Sequence, residues 1–185
     1  MNAIVSLHGA VFSRLERAAP AVLPTLARLV FAGTLFVYFW NSASTKLGNG
    51  ILGLFQPSIG AYAQIFPKAM EAAGYDASQL GTLHWLVVVC GTAAEFVLPV
   101  LIVAGLFTRL ASLGMIGFVV VQSWVDITGH NADDTTIGAW FDGLPSALIV
   151  DQRAFWVFLL LYLVFRGAGP LSLDAGLARR QAASG

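Results

Sequence analysis

Apolar residues fall in four blocks separated by polar breaks that contain Gly and Pro, and the block lengths predict helices that cross a bilayer. A hydrocarbon core takes about 20 helical residues at about 1.5 Å each. On that measure the spans are residues 22–41, 82–104, 110–128 and 149–166. The last contains only the short run AFWVFLLLYLVF, so Asp151, Gln152 and Arg153 are assigned to its first turn at the interface. GLFTR forms the tight turn between the second and third spans. Gly167, Gly169 and Pro170 stop the fourth.

Between Leu47 and Gly81 the pattern changes. Gly residues, Pro57 and Pro67 break a stretch too polar to span, yet Ile59, Tyr62, Ile65 and Phe66 keep a helical stripe. That stripe predicts a helix lying on or dipping into the interface, with a packed loop as the alternative. Residues 1–21 read as a retained tail carrying a short amphipathic helix, or as a frayed terminus, and residues 175–185 as a second tail. The predicted fold class is all-α: an integral membrane four-helix bundle over residues 22–174, with an additional interfacial or surface helix in the first outer loop.

Composition agrees with that class. Hydrophobic residues make up 57% and charged residues 11%, with mean hydropathy +0.76. Soluble domains carry about 25% charged residues. The formal net charge is zero, so no nucleic acid is expected as a partner. The partners expected are the lipid bilayer and either other proteins or further copies of this chain. The single cysteine, Cys90, allows no internal disulfide and no CxxC pair, and it reads as a small core filler. Haem-attachment, Gly-rich nucleotide and nucleophile-elbow motifs do not occur.

Orientation follows from the cations, since cytoplasmic segments are enriched in Lys and Arg. With both termini inside, Arg14, Arg17, Arg28, Arg109, Arg166, Arg179 and Arg180 lie on the cytoplasmic side, against Lys46, Lys68 and Arg153 outside. Arg109 and Arg166 border spans and read as headgroup anchors.

Two sets of polar residues carry candidate chemistry. Glu95 lies deep in the second span, where an acid is disfavoured by at least about 2.5 kcal/mol and needs a partner, a proton or a water-filled cavity. Arg28 in the first span is its candidate intramembrane partner; the other reading has Arg28 snorkelling outward. Glu95 is accordingly either a structural acid that fixes helix register or a proton-relaying catalytic candidate. At the outer end of the third span, Gln122, Asp126 and His130 follow at i, i+4 and i+8, forming one polar stripe. The topology sets Asn41, Lys46, His84 and Trp85, together with Asp151 and Arg153, at a similar height. Asn41, Lys46, His84, Gln122, Asp126 and His130 are thus ligand-binding candidates around a shallow outward pocket. The plainer reading of that pocket is the wet end of a bundle. A quinone suits it, because its carbonyls need donors and its tail an apolar groove. His84, His130, Asp126 and Asp133 are suitable types for a divalent ion but lack tight ligand spacing, so no metal site is assigned.

Three segments carry a resemblance: ARLVFAGTLFVYFWNSASTKL, GTAAEFVLPVLIVAGLFTRLASLG and RGAGPLSLD. Together they resemble the DoxX family of small bacterial four-helix membrane proteins, from Thr25 to Asp174. The pairing of E-x(9)-G-L-x-T-R with a terminal G-x-G-P-L-S-L-D is more specific than either piece. The chain departs from the family in NSASTK, where a Gly commonly precedes the Lys, and in its long first loop. The resemblance implies a multi-pass protein of the bacterial inner membrane. Relatives are associated with thiosulfate:quinone oxidoreduction, oxidative-stress complexes, metal-related peptide pathways and, in eukaryotes, cargo reception. It therefore implies a membrane component of a redox process, quinone-linked and dependent on partner proteins. The alternative is a non-enzymatic scaffold or a carrier for a small solute or metal.

Overall fold

The computed structural model describes residues 2–184, of which 76% are helical, with no strand among the described residues. Three helices are long and apolar enough to cross a membrane: Ile4–Lys46, Thr82–Ala104 and Thr108–Gly129. The chain is an all-α membrane protein.

The first helix is not confined to residues 22–41. It runs from α1 (Asn2–Phe31) through a π-helical turn (Ala32–Phe36) into α2 (Val37–Lys46). The tail and the first apolar block are one helix. Its far end continues past Asn41 because Ser44 and Thr45 return their hydroxyls to the carbonyls of Trp40 and Ser42. Polar residues that would solvate a loop instead bond locally to the helix backbone. The π turn has a definite effect on register. Phe31, Leu35, Phe39 and Ala43 are spaced by four and all buried. In a regular α-helix that spacing drifts by about 40° at each step, and the wider π turn takes up part of the drift.

After Lys46 come two short helices, α3 (Ile59–Ile65) and α4 (Pro67–Ala72). Ser58 caps α3 by accepting from the Ala61 N–H, and Pro67 opens α4 where its missing N–H is harmless. Ala61, Tyr62, Met70 and Val88 form a small core that ties this segment to α5 (Thr82–Ala104).

Helix α5 ends at Gly105, whose φ of +70° is the left-handed conformation a Schellman cap requires, with Leu106 N–H returning to the Leu101 carbonyl. Helix α6 (Thr108–Trp124) follows and extends through a second π turn, Val125–Gly129. Then come α7 (Asp134–Ile137), α8 (Val150–Arg166) and α9 (Leu173–Ser184). Helix α8 has 17 residues and packs against α6 and α1, while α5 packs against α2 and α6. Phe31, Phe39, Ile102, Met115, Leu160 and Leu163 fill the centre and are fully buried.

A candidate ligand cavity beside a buried ion pair

The buried carboxylate of Glu95 meets Lys46, not Arg28. Lys46 Nζ lies 3.1 and 3.0 Å from the two Glu95 oxygens, and the side chains are 6% and 4% exposed. Ser42, one turn before Lys46, donates its hydroxyl to Glu95 Oε1 at 3.0 Å and accepts from Lys46 Nζ at 2.7 Å. The Ser42 carbonyl takes a further Lys46 contact at 3.1 Å. An ammonium has three hydrogens, so Lys46 is saturated, and the triad is electrically neutral as a unit. Pro99, four residues after Glu95, has no N–H to give the Glu95 carbonyl, so α5 is locally loosened beside the acid.

Arg28 does different work. Its guanidinium donates to the carbonyls of Ile102 and Val103 at the end of α5, and to those of Ala168 and Leu171 in the closing turn. Ile102 and Val103 are in the last turn of α5, where carbonyls run short of backbone donors, and Ala168 and Leu171 belong to the turn between α8 and α9. Asp174 completes the arrangement by accepting from the N–H groups of Phe107 and Thr108, which caps α6 from a distant part of the chain. The two sequence motifs, GLFTR and RGAGPLSLD, thus meet around Arg28. The expected Arg28–Glu95 pair does not form because these four carbonyls hold the guanidinium at the other end of the helices.

Between α2, α3, α5 and α6 lies a cavity of about 550 Å³. Val87, Leu98, Phe118 and Val121 supply apolar wall, and Ser42, Lys46 and Glu95 supply a charged but neutralised one. Gly91, Gly114 and Gly117 also line it, so missing side chains help make the space. The polar stripe of the third apolar block faces the same cavity: Gln122, Asp126 and His130 are all on its lining. The π turn at Val125–Gly129 keeps them on one face despite their four-residue spacing, as in the first helix.

Each stripe residue already has a partner. Gln122 Nε2 donates to Tyr38 Oη at 2.7 Å. Asp126 pairs with Arg153, which also donates to Ser123 Oγ and lies over the Trp156 ring. His130 Nε2 is 2.9 Å from the Gln64 carbonyl; a carbonyl only accepts, so Nε2 carries the hydrogen.

Of the six ligand-binding candidates, Lys46, Gln122, Asp126 and His130 line the cavity and Asn41 and His84 do not. Asn41 is exposed on the other side of α2. His84 packs edge-on against Phe66 with ring centroids 4.7 Å apart. Trp85 donates to the Phe55 carbonyl, and Asp151 accepts from the Ala147 N–H ahead of α8. Asp133 caps α7: hydrogen bonds from Thr135 and Thr136 hold its carboxyl below the usual range. Among the described residues no three His, Cys, Asp or Glu side chains converge.

Cys90 corrects a second expectation. It is exposed and lines the cavity together with Glu95, although the two point about 140° apart on an ideal helix. The cavity is wide enough to reach both faces. Tyr38, Ser42 and Gln64 complete the polar lining and carry no signal of their own in the sequence, apart from the four-residue step between Ser42 and Lys46.

A family model described as DoxX matches residues 23–127, more than half of the chain. No curated protein matches, and no solved structure does.

Proposed function

The chain belongs to the DoxX family, and from that premise and the cavity we propose a quinone-binding membrane component of a redox process that works with a partner protein. In this reading α8 is a fourth span and the molecule a four-helix bundle with α3 and α4 at the outer interface. It sits in a bacterial inner membrane with both termini cytoplasmic.

The observation that carries the proposal is the neutral Ser42–Lys46–Glu95 triad on the wall of a mainly apolar cavity. A saturated ion pair has no charge left for an ionic ligand, so the cavity favours an uncharged amphiphile. A quinone headgroup fits that description, and Val87, Leu98 and Val121 suit its apolar part. Tyr38 Oη accepts from Gln122, which leaves the phenolic hydrogen for a ligand carbonyl. His130, with Nε2 donating to the Gln64 carbonyl, lines the same cavity. One cysteine cannot cycle through a disulfide within the chain, so a thiol-based electron donor would belong to the partner.

The test is purification in mild detergent, extraction, and identification of quinone and co-purifying proteins by mass spectrometry. Stoichiometric quinone, lost in a Gln122→Leu/Tyr38→Phe variant that remains folded, supports the proposal. A stable partner with no quinone overturns it in favour of the non-enzymatic scaffold or carrier.

A further inference from the structure

The first helix is too long for one bilayer crossing. The helix Ile4–Lys46 has 43 residues, about 65 Å of length against a hydrocarbon core of about 30 Å. Packing accounts only for the later part. Every residue from 4 to 18 is exposed, whereas Pro24, Ala27, Arg28 and Phe31 are buried.

The exposed part is amphipathic in a particular direction. Turning about 100° per residue, Ile4, Val11, Phe12 and Leu15 fall within about 100° of arc. All four are exposed, Ile4 at 77% and Leu15 at 57%. Val22, Leu26 and Leu29 of the span fall on the same arc, and they too are exposed, on the side away from the buried Ala27 and Phe31. One apolar stripe therefore continues from the lipid-facing side of the span into the arm. Ser13 and Arg17 occupy the other side, Arg14 and Glu16 lie toward its edges, and His8 is the one polar residue within the arc, its ring 4.3 Å from that of Phe12.

Pro20 and Pro24 lie within the helix on the side opposite the stripe. A proline ring crowds the carbonyl four residues earlier, so a helix opens on the proline side and bends away from it. Here that bend goes toward the stripe. A helix leaving the bilayer and bending toward its own lipid-facing side brings that side down onto the membrane surface.

We propose that residues 4–19 are a membrane-surface arm that bends at Pro20 and Pro24 and lays Ile4, Val11, Phe12 and Leu15 into the headgroup–acyl boundary of the leaflet beside the first span. The occupant of the exposed apolar face is lipid. The stripe is continuous with the lipid-facing side of the span, and the prolines direct the bend that way. Interfacial helices of this kind sink by about 5–10 Å and keep their polar face wet.

The test uses the full chain in phosphatidylethanolamine–phosphatidylglycerol vesicles, with Cys90→Ala and a single environment-sensitive label at Val11→Cys, Leu15→Cys or Ser13→Cys. All three sites are exposed, so labelling does not disturb a core. Labels at positions 11 and 15 should be quenched several-fold more by nitroxide lipids than by aqueous iodide, and the label at 13 should show the reverse. Pro20→Ala should reduce the lipid quenching at 11 and 15. Equal iodide access at all three positions overturns the proposal, because the arm then stands in water. So does self-quenching that rises with protein density at constant iodide access, since the arms then cover one another.

Discussion

Lys46 closes the first helix by reaching back to Glu95, with Nζ 3.0 Å from Oε2 and both side chains almost wholly buried. In a low-dielectric interior the pair is a weak net stabiliser, while the removal of one partner leaves an uncompensated charge that is disfavoured by about 3–5 kcal/mol. Lys46→Met and Glu95→Gln should therefore each lower stability by about 3 kcal/mol or more. The double variant Lys46→Met/Glu95→Leu should recover much of the loss. Thermal unfolding in detergent of the two single variants and the double variant checks this. Strict additivity would mean that the two residues do not act as a pair.

Much of this arrangement was readable from residue types, and the unread part has a physical cause. An acid deep in an apolar block had to have a partner, but the first apolar span reads as ending at Asn41, so Lys46 groups with the outer ligand candidates and not with Glu95. The spacing Phe39, Ala43, Lys46 continues the buried face, and serine and threonine hydroxyls that bond their own helix make the continuation stable. The Gln122, Asp126 and His130 stripe was legible because i+4 steps survive a π turn better than a straight helix. Arg28 was not legible. Its carbonyl partners are 74 to 143 residues away in the chain, and backbone acceptors leave no mark on residue identity.

Gly105 is the tightest point of the Arg28 lock. A Cβ there would sit 2.6 Å from Ser172 Cβ and 2.8 Å from Arg28 Cζ, on a backbone with φ +70°. Gly105→Ala combines a left-handed strain of about 1 kcal/mol or more with displacement of the guanidinium. Arg28→Lys keeps the charge but supplies one ammonium where a planar fork reaches four carbonyls. Both should reduce stability by at least about 2 kcal/mol, with Arg28→Lys leaving buried acceptors unpaired. Asp174→Ala, which loses the α6 cap and a carboxylate whose charge favours the Arg28 guanidinium but leaves the four Arg28–carbonyl bonds in place, should lower it by about 1 kcal/mol. An equal loss in all three would argue against a lock centred on Arg28; the measurement is again the unfolding midpoint.

Cavity lining separates residues that looked equivalent in the sequence. Gln122→Ala and His130→Ala should weaken retention of a quinone by several-fold, because both face the cavity. Asn41→Ala and His84→Ala should retain wild-type levels, since neither reaches it. Quinone content per mole of purified protein, measured beside the unfolding midpoint, distinguishes lost binding from lost fold. Equal retention across all four variants would remove the cavity as the binding site.

Cys90 provides a probe of the same space without a substitution. Its sulfur is exposed on a cavity whose other residues include Gln64, Gly91 and Gln122, and it is the only thiol in the sequence. A membrane-permeant maleimide should therefore modify the native protein at a single position. A short-chain quinone analogue that occupies the cavity should slow the modification several-fold at fixed pH, with saturation at the analogue concentration that also saturates binding. A merely lipid-facing cysteine would react at a rate indifferent to the analogue. Mass spectrometry of the labelled protein, with and without analogue, reads both outcomes; an unchanged rate at saturating analogue would place the ligand elsewhere.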